Sequence, residues 1–392
     1  MVEAAVKRVC HAGVFIALVI GGSPELDAQS RFSQFKDPDD GAFDMSAWLA
    51  TAHGFLPTVS LITEPAVGPG VALGAAFFHR PADWTIEGAR AAFEARERQV
   101  VPSISVVTGG ITANDSWFAG GGHLGVWRAD TWRYTGFGGY GSFNLTVAGQ
   151  GPLTGQERLF DYNIEGWAVL QGLRRRVARS DWWVGLHYRL LGMTAAFTVD
   201  RLPELDPVEL KSRTGGLGLS VRFDNRNSPF TPDRGIVAAL QANRQSEALG
   251  GSFDYGSATG SFVGYWDPVR ELVLGLRVEG AWAGEDAPFW DLPSVSLRGI
   301  NAGRYVGERA GAVETEVRWD IVPRWSAVAF GGGGWIVNAP GADSEARWVG
   351  GGGGGFRYLL ARAFGMRAGT DLAYGTDGWA FYITMGSAWG RM

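Results

Sequence analysis

Residues 312–320 read Ala312-Val313-Glu314-Thr315-Glu316-Val317-Arg318-Trp319-Asp320. Side chains of an extended strand alternate between two faces. Val313, Thr315, Val317 and Trp319 therefore share one face, and Glu314, Glu316 and Arg318 share the other. In a soluble sandwich the apolar face points inward and the charges meet water. In a transmembrane barrel the assignment inverts, with apolar side chains in lipid and charges around an enclosed lumen. Alternation alone fits both arrangements. The mixed sign of the charges favours the barrel, because such charges can pair across a lumen. So does strand length: runs of about 12–15 residues exceed the ~5–6 usual in soluble sheets and the ~9–11 that cross a bilayer.

Just upstream lies Ser296-Leu297-Arg298-Gly299-Ile300, which lacks strand alternation. The expectation is an extracellular loop that folds back into the barrel and brings Arg298 to a lumenal carboxylate. Glu314, Glu316 and Asp371 are the candidate partners.

The alternation recurs along the chain. Leu217, Leu219, Val221 and Phe223 oppose Ser220, Arg222 and Asp224. Leu272, Leu274, Leu276 and Val278 oppose Glu271, Arg277 and Glu279. Trp182, Val184, Leu186 and Tyr188 oppose His187 and Arg189. Strands are expected near 59–64, 70–79, 103–114, 117–128, 132–147, 158–174, 181–195, 213–224, 235–245, 253–267, 270–284, 304–320, 325–337, 345–359, 362–375 and 378–390. About sixteen strands is an even number, as single-chain bacterial barrels have. The predicted fold is all-β, a transmembrane antiparallel β-barrel over residues 58–392. Residues 82–99 interrupt the strands with an Ala/Glu/Arg-rich, helix-favouring insertion whose charges are read as a solvated face. The glycine run 350–355 is read as a thin, tightly curved strand that weakens the wall. The final strand ends in Trp389, resembling the terminal signal of outer-membrane barrels.

Composition agrees. There are 59 glycines, 17 tryptophans and 22 phenylalanines in 392 residues, far from the composition of a disordered chain. Such aromatics suit membrane-interface girdles. The net charge of −5 and the lack of a Lys/Arg run argue against nucleic acid as a partner. The single cysteine, Cys10, precedes the expected cleavage point, so the exported chain carries no thiol for disulfides, metal or catalysis. Residues 1–28 read as a signal peptide: Lys7 and Arg8, then the apolar run from Ala12 to Ile20, then Ala28 at the cut. Residues 29–57 read as a periplasmic tether. It carries a turn cluster, Asp37-Pro38-Asp39-Asp40-Gly41, and a short helix capped by Asp44 with Met45, Trp48 and Leu49 on one side.

The run Asp224-Asn225-Arg226-Asn227-Ser228-Pro229-Phe230-Thr231-Pro232-Asp233-Arg234-Gly235 is an ordered turn signature. Pro229 and Pro232 fix φ, Gly235 admits unusual dihedrals, and Asp224 and Arg226 can bond within the turn. It resembles the periplasmic turn of the bacterial surface antigen family, the BamA/TamA-type barrels that assemble or secrete outer-membrane proteins. Leu297-Arg298-Gly299 resembles that family's inward-loop motif, with Ile300 where relatives carry an aromatic. The Pro-rich turn falls between the eighth and ninth expected strands and the Arg-Gly loop between the eleventh and twelfth, on opposite sides of the membrane. Gly353 to Tyr374 is a further match, so the resemblance covers residues 55–392. It departs in two ways. Only the short tether stands where large relatives carry POTRA domains, and Phe330-Gly331-Gly332-Gly333-Gly334-Trp335 holds no acid where relatives place an aspartate.

The resemblance implies an outer-membrane protein that inserts or translocates protein, or lipid, with outer-membrane lipid and client outer-membrane or secreted proteins as partners. The alternative is a passive or plugged structural barrel. A third reading is a surface-binding protein using the acidic stretch from Thr198 to Lys211. No catalytic residues, metal site or cofactor are expected. His53, His79, His123 and His187 are too scattered for a metal cluster, and nucleophile-elbow and phosphate-loop motifs are lacking.

Overall fold

The computed structural model describes residues 14–15, 35–51, 55–62, 67–79, 85–97, 102–150, 157–197, 208–301, 303–339 and 346–389. The expected signal peptide lies outside the described residues except for Val14–Phe15, and the acidic stretch after Phe197 lies outside them up to Val208.

Among the described residues, seventeen strands form one sheet. Leaving aside the two-residue Val14–Phe15, sixteen run in sequence order. They are β1 (Phe55–Ile62), β2 (Gly70–His79), β3 (Ser103–Thr112), β4 (Trp117–Trp127), β5 (Trp132–Gln150), β6 (Glu157–Arg176), β7 (Trp182–Phe197) and β8 (Val208–Asp224). Then follow β9 (Gly235–Gln245), β10 (Tyr255–Val269), β11 (Leu272–Ala283), β12 (Arg309–Val322), β13 (Trp325–Val337), β14 (Arg347–Ala361), β15 (Met366–Gly375) and β16 (Gly378–Met385). Each pairs antiparallel with the next. Among the described residues no register joins β16 to β1; Val14 and Phe15 pair instead with Ser60 and Val59 of β1. Val14–Phe15 also lies against β16, so this segment sits where the first and last strands of the wall approach.

The side chains sort as an inverted sandwich. Leu219, Leu240, Trp348 and Trp379 are 67%, 70%, 71% and 69% exposed, while Glu314, Arg357 and Asp371 are 2%, 2% and 0% exposed. Water would penalise so much bare apolar surface at about 25 cal/mol per Å², so the outward face requires hydrocarbon around it. Those three charges are inside, and they are paired. No helix among the described residues is long and apolar enough to cross a membrane.

Several strand ends differ from the periodicity. Residues 304–308 belong to the loop before β12, because Tyr305 turns inward and is 4% exposed. Residues 362–364 form a 3-10 turn, so β15 begins at Met366. β16 stops at Met385 because Gly386 takes φ of +78° and redirects the chain. The sixteenth strand is therefore shorter than the alternation through Trp389 predicts.

The end of the wall that carries the tether is built up by three pieces. The tether docks through α1 (Ser46–Thr51), whose neighbours Phe35, Met45 and Leu49 cluster with Ala76 of β2 and Ala361 and Met366 of β14 and β15. This cluster packs β2 against β14 and β15. Helix α2 (Ile86–Glu94) follows β2, with Thr85 Oγ1 accepting from Gly88 N at 3.1 Å as its N-cap. Glu87, Glu94 and Glu97 are exposed, as the solvated face read from sequence has them, but two charges of this segment also reach partners on the wall. Arg96, just beyond it, is ion-paired with Asp267 of β10 and donates to Arg270 O at 2.7 Å. Glu94 accepts from Arg362 at 2.8 Å. The helix thus links the β14–β15 turn to the β10–β11 turn across the mouth. Third, residues 225–234 fold inward rather than projecting, as described below.

Candidate functional site

The loop between β11 and β12, residues 284–308, runs back along the interior of the wall. Its two limbs are stitched by Val295 N donating to Tyr305 O at 3.1 Å and Gly307 N donating to Pro293 O at 3.0 Å. The tip is Leu297-Arg298-Gly299-Ile300, and all four residues are buried, with Leu297 4%, Arg298 9% and Ile300 1% exposed. Leu297 and Ile300 pack with Val295, Tyr305, Ala312, Ile336 and Val349. Aliphatic Ile300 fills this apolar niche, so the departure from an aromatic at this position is accommodated by packing.

Arg298 carries the charge chemistry of the tip. Its Nε donates to Glu314 Oε1 at 2.7 Å and its Nη1 to Asp371 Oδ2 at 3.0 Å. Its Nη2 lies 2.8 Å from Glu316 Oε2. Those two atoms are misaligned for a hydrogen bond, so Glu316 contributes charge attraction rather than a directed bond. The guanidinium carbon sits 3.5 Å from the Phe330 ring centroid. An aromatic face thus occupies the place where an acid is absent from the sequence. All three sequence-nominated carboxylates, two from β12 and one from β15, converge on Arg298.

The surrounding shell holds these carboxylates in place. Arg277 of β11 donates to Glu314 at 3.1 Å, to Glu279 at 2.5 Å and to Ser296 O at 2.8 Å. Arg357 of β14 grips Asp371 through two bonds of 2.6 and 2.9 Å. Trp389, beyond the end of β16, donates its Nε1 to Glu314 Oε2 at 2.7 Å. Gly299 N donates to Tyr382 Oη of β16 at 2.9 Å, and Asn301 N and Tyr305 Oη both reach Asp377 at 2.8 Å. Such an array offsets the cost of burying charge only while it is complete; breaking one member costs about 3–5 kcal/mol.

Glycines make the room. Gly299 has φ of +86°, a left-handed conformation that favours glycine. A Cβ on Gly351 would lie 2.7 Å from Arg298 O, and one on Gly355 would lie 2.2 Å from Asp371 Oδ1. Gly351 and Gly355 of β14 therefore serve clearance for the loop tip and its carboxylate. Wall weakening, the reading from sequence, leaves these close approaches unexplained.

The Pro-rich turn between β8 and β9 is a second inward element. Asp224 accepts from Arg226 Nε and Nη2, both at 2.9 Å, and from Arg222 at 3.0 Å. Asn227 Oδ1 accepts from Asp233 N and Arg234 N at 3.1 and 3.3 Å, and Ser228 Oγ from Phe230 N and Thr231 N, each at 3.3 Å. Gly235 has φ of +100°, and a Cβ there would strike Arg226 Cα at 2.7 Å. Phe230 O accepts from Ser387 N at 2.7 Å, Asp233 pairs with Arg318 of β12, and Pro232 O accepts from the same arginine at 3.4 Å. Pro229 sits between these anchors. The turn thus spans from β8 to the chain beyond β16.

Sequence reasoning missed two parts of this assembly. One is Trp389, whose alternation marks it as a strand residue. The other is Arg324 in the β12–β13 turn. It bonds Asp37, Asp40 and Asp44 of the tether, each at 2.7 Å. Burial alone would raise the Asp44 carboxyl, but hydrogen bonds from Ser46 and Arg324 outweigh it and hold it below the usual carboxylate range. Asp40 is lowered chiefly by its Arg324 bond. The acidic spacing at 37, 40 and 44 was the available signal for a cation partner.

No protein-family model matches the chain, and no curated protein matches it. Solved structures do. BamA from Haemophilus ducreyi lacking POTRA domains 1–3 is similar with a TM-score of 0.53 and 11% identity over 92% of this chain and 82% of that one. CdiB from Acinetobacter baumannii gives a TM-score of 0.54 at 12% identity, covering 84% of this chain and 59% of that one. CdiB from Escherichia coli gives 0.57 at 13%, covering 83% and 61%. The chain spans about three fifths of each CdiB. It has the barrel fold of these proteins.

Proposed function

We propose that this chain, with the barrel fold of BamA and CdiB, resides in the bacterial outer membrane and inserts or translocates protein there without enzymatic chemistry. The carrying observation is the joint between the plug and the last strands of the wall. The loop tip is bonded to β15 through Asp371 and to β16, the last strand, through Tyr382. Releasing the tip would free the edge of the wall that a client strand would meet. Outer-membrane or secreted proteins are the clients that suit an exposed strand edge, since main-chain hydrogen bonds there are open to any extended segment. With the tether at the periplasmic side, the 284–308 loop enters from the extracellular side.

The test is catalysed insertion. Urea-denatured small barrel protein is offered to liposomes containing the purified chain, and its heat-modifiable, protease-protected form is followed with time. Insertion severalfold faster than into empty liposomes is expected. Equal rates would sink the proposal.

A second reading, a plugged structural barrel, is favoured by the filling of the lumen: the loop, the 225–234 turn, Trp389 and α2 all occupy or cross it. Planar-bilayer recording bears on it. Near-silence fits a plugged barrel, and steady large currents fit an open pore.

A further inference from the structure

The lumen wall of β5 to β8 carries an unbalanced group of cations near the tether end. Register places Arg133 beside Arg174, Arg176 beside Trp183, and Trp183 beside Arg222. The neighbours on the opposite face confirm the inward aim: Trp182 is 49% exposed, while Trp183 is 1% exposed. Arg175, also outward, lies over the Trp132 ring at 5.4 Å. Two guanidiniums lie over the Trp183 ring, Arg133 at 4.4 Å and Arg176 at 4.7 Å.

The carboxylates nearby do not balance the charge. Asp130 pairs with both Arg133 and Arg176. Asp224 pairs with both Arg222 and Arg226. Asp181, whose carbonyl accepts from Asp224 N at 2.9 Å, lies at the same level. Among the described residues, five guanidiniums thus face three carboxylates in a region shielded from bulk water. Like charges at such density repel, and a low-dielectric wall strengthens the repulsion.

A second feature is independent of charge. Trp183 Nε1 is buried and has no hydrogen-bond partner. An indole N–H donates only, and leaving it unmet inside the protein is costly. A neutral ligand could satisfy the donor but not the excess charge. A cation would worsen it. An oxyanion answers both.

We propose that this wall binds a phosphate-type oxyanion, with Trp183 Nε1 and the Arg133, Arg174, Arg176 and Arg222 guanidiniums as its donors. The surplus of two positive charges matches a phosphoryl group better than a singly charged carboxylate. Donors arriving from four adjacent strands suit a tetrahedral ion better than a planar one, which is met by one guanidinium fork. The phosphoryl group belongs either to a free ion or to a lipid headgroup. The site does not depend on the insertion activity proposed above.

The test uses the full chain in dodecyl maltoside, titrated with inorganic phosphate at constant ionic strength and followed by phosphorus NMR line broadening. Saturable binding is expected. Trp183→Phe, which keeps the ring under the guanidiniums and removes the N–H, is expected to weaken it at least fivefold, as is Arg222→Gln. Arg304→Gln at the opposite end of the barrel is expected to leave it unchanged. A parallel titration with short-chain phosphatidic acid identifies the source: tighter binding lost in the same two variants assigns a headgroup, and phosphate binding alone assigns a free ion. Absence of saturable binding of both probes, or binding that Trp183→Phe and Arg222→Gln leave intact, overturns the proposal. Heat-modifiable migration of each variant distinguishes a lost site from a lost fold.

Discussion

Trp389 Nε1 lies 2.7 Å from Glu314 Oε2, while the other oxygen of the same carboxylate accepts from Arg298. The chain terminus and the inward loop therefore share one acid. Gly275 leaves the space that the indole fills, since a Cβ there would come within 2.6 Å of the Trp389 ring. Trp389→Phe keeps that packing and removes one donor. Glu314 retains Arg277, so the expected loss is modest, about 1 kcal/mol. It is read as a lowered transition temperature in heat-modifiable gel migration. An unchanged transition would show that the indole bond contributes nothing to the lock.

Arg298→Ala goes to the centre of the same array. It strands Glu314, Glu316 and Asp371 inside the lumen, with Arg277 and Arg357 as their remaining cations. A loss of about 3–5 kcal/mol is expected from the loop and its shell, with the wall itself still inserted in membrane, because its ladders do not involve Arg298. Protease cleavage within residues 296–301 that appears only in the variant is the expected readout. Arg298→Lys should recover little of the loss, since a single ammonium cannot replace a fork that reaches two strands.

How much of this was legible beforehand follows from the range of the interactions. Strand alternation is local, and it set the order of all sixteen strands and the inward aim of Glu314, Glu316 and Asp371. The break in alternation at Leu297-Arg298-Gly299 marked the loop for the same reason. Trp389 was illegible because Phe381 to Trp389 alternates without interruption, and only the +78° φ of Gly386 turns the chain inward. Arg324 was illegible because its three partners lie some 280 residues earlier in the chain. The purpose of the glycines at 350–355 needed the backbone of a distant loop to be in place first.

The clearance argument has its own check. Gly351→Ala would put a methyl 2.7 Å from Arg298 O, a backbone atom with no flexible end to yield. The loop tip must move, at a cost of about 1–3 kcal/mol for overpacking. Gly331→Ala, in the adjacent strand, meets nothing nearer than Gly351 O at 3.8 Å. It shares the backbone effect of removing a strand glycine without the clash. Hydrogen exchange at Gly299 and Asn301 is expected to accelerate in the first variant and to hold in the second; equal behaviour would rule out clearance as the reason for Gly351.

The tether gives a pH prediction with a definite sign. Asp44 and Asp40 have carboxyls held below their ordinary value of 3.8 in the folded chain. A depressed folded value means that the stabilisation is fully present above the unfolded value, about 4, and is lost as pH falls through the folded one. The tether should therefore stay docked from neutral pH to about pH 4 and release under stronger acid, when Arg324 loses its anionic partners. Exchange of Met45 N, which donates to Leu360 O at 2.8 Å, reports docking after correction for the intrinsic rate. Arg324→Gln should bring the released behaviour to pH 7, because Asp37, Asp40 and Asp44 then share a site without that guanidinium and repel one another. Protection of Met45 in that variant at neutral pH would show that apolar packing of Phe35, Met45 and Leu49 is sufficient to hold the tether.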